Sequence, residues 1–340
     1  MIRVAIIGAG GWGTALGIVA ARAGHEVRLW SRNAAVVEDV NVRRTNSRYL
    51  NGHELPETLR ATTEMSEALE GARIVLLVAP SHATRELLER MSIDVRPEML
   101  FVSATKGIEV ETGKRISEVV ADVLGLENLS SRFVCLSGPS FAQEVAEGHP
   151  TAIVAASADA ASAALVQSEL SGQSFRIYTN SDVAGVELGG ALKNVMAIAA
   201  GMVAGLGFGS NSIAALITRG LAEMTRLAVA CGARVETLMG LAGLGDLVLT
   251  CTGSLSRNRY VGQELGRGRK LEDVLGSMSE VAEGVRTTRA VKLLAERRGV
   301  ELPITTEVHA VLYEGKSACE AASELMSRPL RGEFEGINNP

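Results

Sequence analysis

Short apolar runs alternate with helical patterns through the first half of the chain. Several of the runs are continuously apolar, which is typical of strands in a parallel sheet that is covered on both faces. The runs cover residues 2–8, 25–30, 73–79, 99–105, 132–138, 151–157 and 175–180. This alternation predicts a doubly wound, Rossmann-like α/β sheet.

The second half of the chain has a different pattern. From about Asp182 the sequence consists of long stretches rich in Ala, Leu and Met, interrupted by glycines, with no convincing strand. We therefore predict an α/β domain over residues 1–181 followed by an all-α domain over residues 182–340.

Composition and charge narrow the classes of partner. The chain carries 34 Lys and Arg against 39 Asp and Glu, and the absence of any polybasic run argues against nucleic acid as a partner. Four widely spaced cysteines, without CxxC or paired histidines, predict reduced thiols, no metal and a cytoplasmic location. The apolar region 184–206 contains Glu187, Lys193 and Asn194 and is a poor membrane span, so no stable membrane insertion is expected.

A glycine motif follows the first predicted strand. Gly8, Gly10 and Gly13 have the G-x-G-x-x-G spacing and precede a helical pattern. Glycine is needed there because the backbone must turn tightly and approach a pyrophosphate, whose charge is stabilised by the helix N-terminus. The motif predicts a dinucleotide site, and the alternative is a glycine-rich turn without a ligand.

The end of the second predicted strand bears on the choice of cofactor. An acid that holds the ribose 2′-hydroxyl is expected there, but the strand runs into Ser31, Arg32 and Asn33, and no acid follows until Glu38. An arginine in this place suits a 2′-phosphate and favours NADPH over NADH. Alternatively, Arg32 is an ordinary solvated loop residue.

Polar groups also follow two later strands. Lys106 comes directly after the run 99–105, and Gly138 with Ser140 follows the run 132–138. Ligands of doubly wound sheets bind at the carboxyl ends of the strands, and the helical pattern after Ser140 would present free amides to an anion. A solvent-exposed lysine remains the alternative for Lys106.

The helical half contains two further candidates. Asp246 follows two glycines and is either a site residue or a helix cap. Ser256, Arg257 and Asn258 together suit a phosphate, through a guanidinium fork and short polar donors, although a polar turn would have the same composition.

Lys193 is the least ordinary residue of the chain. It lies in "LGGALKNVMAIAAG", where its helical neighbours at three and four residues are Gly189, Gly190, Met196 and Ala197. An unpaired buried ammonium is costly, so Lys193 needs a distant acid, for which Asp246 is the candidate, or a ligand. With a lowered pKa it could exchange a proton with a substrate oxygen, while the two glycines would let a ligand approach the helix. A lysine extending from a helix edge into solvent is the alternative.

With these residues assembled, nearly the whole chain resembles the bacterial NAD(P)-dependent sn-glycerol-3-phosphate dehydrogenases. The resemblance rests on "GAGGWGTA", "ATKGIE", "SGPSFAQEVAEGHPTA", "ELGGALKNVMAIAAG", "NSIAALITRGLAEM", "GLGDLVLTC", "SRNR" and "VAEGV", in the order of the family.

The resemblance implies a role for each matching position. Lys193 would transfer the proton, and Lys106 would lie between nicotinamide and substrate. The implied substrate residues are Lys106, Gly138, Ser140, Lys193, Asp246, Ser256, Arg257 and Asn258, with Thr250 as a further polar position. The implied cofactor residues are Gly8, Gly10, Gly11, Trp12, Gly13, Arg32, Tyr49, Lys106, Ala142, Arg257, Val281 and Glu283.

Two positions depart from the family pattern. Gly11 stands where many members have serine, so a side-chain contact to the pyrophosphate is missing while the backbone N–H remains. Asn33 stands where a second basic residue often follows Arg32, which weakens the preference for NADPH and leaves NADH possible.

The resemblance implies a homodimeric cytoplasmic enzyme that reduces dihydroxyacetone phosphate to sn-glycerol 3-phosphate for phospholipid synthesis. The first domain would bind the dinucleotide, and the second would bind substrate and form the dimer. Two alternatives remain: a β-hydroxyacid or opine-type dehydrogenase on the same plan, and a regulator that binds NADPH without turnover.

Overall fold

The computed structural model describes residues 1–125, 129–278, 282–330 and 332–333. The chain forms two compact units. The first comprises Met1–Thr105 and Ile116–Val183, and the second comprises Lys106–Arg115 and the chain from Ala184 onward. The chain therefore leaves the first unit for ten residues in its middle and returns to it.

The described residues of the first unit contain one sheet. Its strands are β1 (Arg3–Ile7), β2 (Glu26–Trp30), β3 (Leu59–Thr62), β4 (Ala72–Leu77), β5 (Leu100–Ser103), β6 (Phe133–Ser137), β7 (Thr151–Ala156) and β8 (Phe175–Asn180). The strand order is β3-β2-β1-β4-β5-β6-β7-β8, and all neighbours are parallel except β6 and β7, which pair antiparallel. The predicted doubly wound α/β sheet is confirmed.

Helices cover this sheet, which explains the continuous apolar runs. The helices are α1 (Gly11–Arg22), α2 (Ala34–Glu38), α3 (Met65–Leu69), α4 (Thr84–Met91), α5 (Ile116–Leu124), α6 (Ala142–Glu147) and α7 (Ala160–Leu170). In β1, every residue from Val4 to Ile7 is fully buried, as expected for a strand with helices on both faces. Strand β3 has no such run: its four residues include the exposed Arg60, and the sequence pattern missed it.

The second unit is helical, as predicted. Its helices are α8 (Val183–Gly205), α9 (Ser210–Ala230), α10 (Val235–Leu238), α11 (Asp246–Thr252), α12 (Arg257–Gly266), α13 (Leu271–Gly276), α14 (Glu283–Arg298), α15 (Pro303–Tyr313) and α16 (Ala318–Ser327). A single π-helical turn, Leu241–Gly245, leads directly into α11.

Helix α8 is the central helix of the second unit. Its 23 residues are long enough, and on average apolar enough, to cross a membrane, but 83% of the apolar window is buried inside the protein. Such burial is typical of the core helix of a globular protein. The segment Val235–Thr252 passes the same test of length and composition and is 44% buried.

Glycines bring α8 and α12 into backbone contact. A Cβ added to Gly262 would lie 3.0 Å from the Cα of Gly201, and one added to Gly266 would lie 2.9 Å from the Cα of Gly205. Each helix therefore presents two glycines, four residues apart, to the other. Because no side chain separates the backbones, these glycines fix the distance between the two helices.

Gly189 has a related role on another face of α8. A Cβ there would lie 2.6 Å from the carbonyl oxygen of Ala242, in the π-helical turn that precedes α11. The sequence suggested that Gly189 lets a ligand approach the helix. The structure shows instead that the neighbouring backbone occupies this space, so Gly189 sets the position of the turn that leads to Asp246.

Candidate active site

Two lysines share one buried carboxylate in the second unit. Lys193 Nζ lies 2.5 Å from Asp246 Oδ1, and Lys106 Nζ lies 2.7 Å from Asp246 Oδ2. Asp246 is fully buried and Lys193 is only 7% exposed. Asp246 is thus the distant acid that the isolated Lys193 required. The alternative of a lysine extending into solvent is excluded.

Three separate segments form this Lys106–Asp246–Lys193 cluster. Lys193 lies in the middle of α8, Asp246 is the first residue of α11, and Lys106 begins the segment 106–115. A carboxylate at the first position of a helix is also favoured by the helix dipole. Two ammonium groups and one carboxylate leave the cluster with one excess positive charge, so it is suited to bind an anionic or oxyanion-forming ligand.

Burial changes the acid–base properties of Lys193. Desolvation lowers the pKa of Lys193 from its ordinary 10.5 to about 8; Asp246 opposes this effect and Lys106 adds to it. The ammonium can therefore release and regain a proton near neutral pH. The neighbouring Cys251 behaves differently, because burial raises the pKa of its thiol to about 12, which keeps it protonated and unsuited to nucleophilic catalysis.

A second polar group surrounds the start of α12. The Ser256 side chain accepts a hydrogen bond from the Arg259 N–H at 3.2 Å and caps the helix, and its hydroxyl lies 3.1 Å from that of Thr250. Asn258 donates to Asn194 Oδ1 at 3.0 Å and accepts from the Gly284 N–H at 2.9 Å. These contacts support both readings of the Ser-Arg-Asn sequence, since capping and ligand binding are compatible.

Asn194 was missed as a site residue by sequence reasoning. It is buried beside Lys193 on α8 and holds the side chain of Asn258. Its position next to the isolated lysine, in an otherwise apolar helix, was the available signal.

Two further predicted residues lie at the starts of helices. Arg257 and Glu283 are the first residues of α12 and α14, and Val281 lies outside the described residues.

The glycine motif forms a tight turn between β1 and α1. Gly8 has a φ of +124°, and a Cβ on Gly13 would clash with the Gly8 carbonyl oxygen. A Cβ on Gly10, in contrast, would meet no atom within 4 Å, so the space beside this glycine is open to a ligand. Directly after it, Gly11 begins α1, whose N-terminal amides favour a phosphate.

A buried side chain beside this turn also supports a dinucleotide site. The indole Nε1 of Trp12 is buried and has no hydrogen-bond partner among the described residues, and a buried donor of this kind calls for a partner. Asn46 supports the turn from below, since its amide donates to the Ala9 carbonyl at 2.9 Å and to the Thr14 hydroxyl at 2.8 Å.

Gly11, Tyr49 and Ala142 come together at the start of α1. A Cβ on Gly11 would lie 2.7 Å from the Tyr49 carbonyl oxygen and 3.7 Å from the Ala142 Cβ. The approach of Tyr49 leaves no room for a side chain at position 11. This contact accounts for the glycine at position 11 of this chain.

The end of β2 adjoins the same turn. The Gly8 N–H donates to the Trp30 carbonyl at 3.2 Å, and Arg32, two residues beyond Trp30, is exposed. Asn33 caps α2 by accepting a hydrogen bond from the Ala35 N–H at 3.0 Å. Asn33 thus has a structural function that a second basic residue would not perform.

Gly138 and Ser140 follow β6 in the first unit, as predicted. Gly138 has a φ of +148°, and a Cβ there would lie 2.8 Å from the Ile153 Cα. Ser140 Oγ donates to the Gly138 carbonyl at 3.0 Å. The structure gives both residues a local structural role, and their contact with substrate stays a prediction.

A phosphate-binding turn in a parallel sheet, together with a buried lysine poised to exchange a proton, defines a dinucleotide-dependent dehydrogenase. Among the described residues, no group of three His, Cys, Asp or Glu could hold a metal ion. The chain belongs to the NAD-dependent glycerol-3-phosphate dehydrogenase family: the model of the family's N-terminal domain matches residues 3–163 and that of its C-terminal domain matches residues 182–323.

Individual relatives agree with this assignment. The chain is 57% identical to the glycerol-3-phosphate dehydrogenase (NAD(P)+) of Koribacter versatilis, over 98% of this chain and 99% of the relative. It is 53% identical to the enzyme of the same name from Geobacter sulfurreducens, over 97% and 98%. The crystal structure of glycerol-3-phosphate dehydrogenase from Coxiella burnetii is 42% identical, with a TM-score of 0.92 over 96% of this chain and 99% of that one.

A more distant solved structure is similar to this chain in fold only. A ketopantoate reductase from Ralstonia eutropha is 18% identical, with a TM-score of 0.58 over 94% of this chain and all of that one. This likeness concerns the fold alone and says nothing about substrate.

Proposed function

We propose that this NAD(P)-dependent dehydrogenase reduces dihydroxyacetone phosphate to sn-glycerol 3-phosphate, supplies that product to phospholipid synthesis, and catalyses the reverse oxidation. The observation that supports this most directly is the Lys106–Asp246–Lys193 cluster, in which a lysine with a pKa of about 8 is held by a buried carboxylate. Membership in the glycerol-3-phosphate dehydrogenase family supports the choice of substrate.

The residues of the cluster divide the work. The bound nicotinamide supplies or accepts the hydride. Lys193 donates its proton to the ketone oxygen during reduction and removes a proton from the alcohol during oxidation. Asp246 orients Lys193 through its Oδ1 and Lys106 through its Oδ2. Lys106 contributes a second positive charge that stabilises the developing oxyanion.

We assign the phosphate of the substrate to the start of α12. Arg257 supplies a guanidinium fork there, and Asn258 is held in place by Asn194 and the Gly284 N–H. Ser256 and Thr250 complete this group. The remaining roles implied by the resemblance, for Gly138, Ser140, Trp12, Tyr49, Ala142, Val281 and Glu283, stay part of the proposal.

Replacing the proton donor tests this mechanism. The substitution Lys193→Met keeps the apolar stem of the side chain and removes the ammonium, so kcat should fall by a factor of about 100 or more, as for a lost general acid. The measurement is steady-state NADPH oxidation with dihydroxyacetone phosphate, with circular dichroism and cofactor binding to show that the variant is folded.

A near-normal kcat in Lys193→Met would exclude Lys193 as the proton donor. The wild-type enzyme is assayed in parallel with 2-oxo acids. Turnover of these in place of dihydroxyacetone phosphate would indicate a hydroxyacid dehydrogenase, and tight NADPH binding without any turnover would indicate a regulator.

The proposal includes a preference for NADPH over NADH, with NADH still usable. Arg32 supports this preference. Its exposed guanidinium lies two residues past Trp30, whose carbonyl accepts a hydrogen bond from Gly8 in the glycine motif. Arg32→Ser should lower the ratio of kcat/KM for NADPH to that for NADH by about tenfold, the loss of one charge-assisted phosphate contact.

Arg176→Ser, on β8 at the far edge of the sheet from β3, provides the matched control and should leave the ratio unchanged. A ratio that also stays fixed in Arg32→Ser would assign the cofactor preference to other residues.

The proposal also includes a cytoplasmic homodimer formed through the helical unit. Exposed apolar side chains support such a contact: Phe208, Met239, Leu244, Val248 and Leu255. The burial of α8 within the protein supports a location away from the membrane interior.

A further inference from the structure

The segment 106–115, which we call the lysine hairpin, carries Lys106 and packs within the second unit. An antiparallel bridge between Ile108 and Arg115 closes its stem. Within the turn, the Glu109 N–H donates to the Lys114 carbonyl at 3.0 Å and the Gly113 N–H to the Glu109 carbonyl at 2.9 Å. Because Arg115 lies opposite Ile108, whatever fixes Arg115 also fixes the backbone two residues after Lys106.

An ion pair joins the stem of the hairpin to α8. Arg115 Nη1 lies 2.9 Å from Glu187 Oε2, and the Glu187 side chain is only 4% exposed. Glu187 precedes Lys193 by six residues on the same helix, about 9 Å along its axis. Helix α8 therefore carries both Lys193 and Glu187. Through Glu187 it holds Arg115, which pairs with the part of the hairpin that follows Lys106.

Two further contacts hold the hairpin. Ile108 is 1% exposed and belongs to the hydrophobic core of the second unit. Arg297 of α14 donates to the Thr112 carbonyl, at the tip, with a distance of 2.7 Å. The apolar contact fixes the depth of the stem and the Arg297 contact fixes the tip, while the Arg115–Glu187 ion pair is a directional contact of the stem itself.

We propose that Arg115 and Glu187 are positioning residues of the dehydrogenase, which hold the lysine hairpin on α8 so that Lys106 shares Asp246 with Lys193. The inference rests on the proposed function, since the reaction of Lys193 provides its readout. Neither residue touches the reacting atoms, and both act through Lys106. Loss of the pair lets the stem shift, and a shift of about 1 Å at a catalytic group can lower the rate by up to about 100-fold.

The experiment compares Arg115→Gln in two backgrounds. In the wild-type background, Arg115→Gln should lower kcat/KM for dihydroxyacetone phosphate by about tenfold. In the Lys106→Met background, the same change should alter kcat/KM by less than about twofold, because the group through which Arg115 acts is already absent. Equal losses in both backgrounds would overturn the inference and make the pair merely structural.

The pH profile gives a second readout. Asp246 and Lys106 are charged groups that act on Lys193, and the thiol of Cys251, on which Lys193, Arg259 and Asp246 all act, is a further titratable group there. Lys106 lowers the pKa of Lys193, so displacement of Lys106 should move the descending limb of the reduction profile to higher pH. Arg115→Gln and Lys106→Met should show this alkaline shift alike, and an unshifted limb in Arg115→Gln would contradict the proposal.

Folding is controlled by two further variants. Arg115→Gln combined with Glu187→Gln replaces this ion pair with two neutral amides, so Glu187 is not left as a buried charge, and should behave like Arg115→Gln alone. Arg115→Lys keeps the positive charge and should recover part of the activity.

The control Lys316→Gln breaks the 2.6 Å pair with Glu307 on α15 and should leave both kcat/KM and the pH limb unchanged. Wild-type enzyme without turnover of dihydroxyacetone phosphate would refute the proposed function itself. Active wild type with equal losses in both backgrounds would refute only the role of Arg115 and Glu187.

Discussion

The Lys193 ammonium is buried where only one carboxylate is available for two lysines. Desolvation of a charge opposes folding, and Asp246 compensates Lys193 only in part, because its second oxygen is bonded to Lys106. The result is an amine whose pKa is lowered to about 8. Burial is the main cause of this lowered pKa and the nearby Lys106 adds to it, so the Lys193 ammonium can release a proton near neutral pH.

The pH dependence of the two reaction directions should differ in sign. Reduction needs the ammonium, so kcat/KM for dihydroxyacetone phosphate should be level below about pH 8 and fall above it. Oxidation needs the neutral amine, so kcat/KM for glycerol 3-phosphate should rise as the pH passes about 8. Measuring kcat/KM in both directions from about pH 6 to about pH 10 checks this prediction.

The free energy of unfolding should also depend on pH through Lys193. The pKa of Lys193 is lower in the folded state than its ordinary 10.5, so between about 8 and 10.5 the unfolded chain binds more protons. The free energy of unfolding contributed by Lys193 therefore rises with pH across that window and is constant below it. Urea unfolding of Lys193→Met should lack this rise; an identical rise in the variant would assign the effect to other groups.

The sequence could identify Lys193 but not its environment. Its isolation in an apolar helix was visible from its four neighbours at three and four residues, because helical spacing is local. Its partner lies 53 positions away, and a contact at that distance depends on the packing of α8 against the turn before α11. Local pattern could suggest Asp246 and could not show that Lys106 shares it.

At the scale of elements, the contact between α8 and α12 links the proposed proton donor to the proposed phosphate site. α8 carries Lys193 and Asn194, and α12 carries Arg257 and Asn258. Their backbones approach through glycines alone, as in close-packed small-residue helix pairs. A change in this spacing would alter the Asn194–Asn258 hydrogen bond directly.

The substitution Gly262→Ala should therefore affect both stability and substrate binding. Its Cβ would lie 3.0 Å from the Gly201 Cα and closer still to the Ile198 carbonyl oxygen, so the helices must separate. We expect a loss of about 1–3 kcal/mol in the free energy of unfolding and a raised KM for dihydroxyacetone phosphate, measured by urea unfolding and steady-state kinetics.

Gly276→Ala is the matched control for Gly262→Ala. Gly276 ends α13, and a Cβ there would meet no atom within 4 Å. This variant should be neutral or slightly more stable. Equal stability of the two variants would show that the spacing of α8 and α12 is not fixed by these glycines.

The elements themselves were predicted unevenly, for a physical reason. Strands buried on both faces, such as β1, have continuous apolar runs and were identified. The edge strand β3 was missed because Arg60 is exposed within its four residues. The sequence predicted a ligand beside Gly189, because a sequence cannot show that the Ala242 backbone already fills that space.

At the scale of the whole molecule, the proposed dimer can be tested by mass. Light scattering should give twice the 35.8 kDa of one chain. Met239→Asp places a charge at a side chain that is 64% exposed on the helical unit, and should shift the population toward single chains because a buried charge opposes association.

Ile93→Asp introduces the same charge at an even more exposed apolar residue of the first unit, where Ile93 is 82% exposed, and should leave the mass unchanged. A single-chain mass for the wild type at micromolar concentration would contradict the dimer, and a reversed response of the two variants would move the contact to the first unit.

The lysine hairpin, finally, restricts how this chain can be recombined with its relatives. A chimera joined near residue 182 would take the hairpin from one parent and Asp246, Glu187 and the core around Ile108 from the other. The natural modules are therefore not contiguous in the gene. A successful exchange of the helical unit has to transfer codons 106–115 together with those from 184 onward, as two insertions into one recipient.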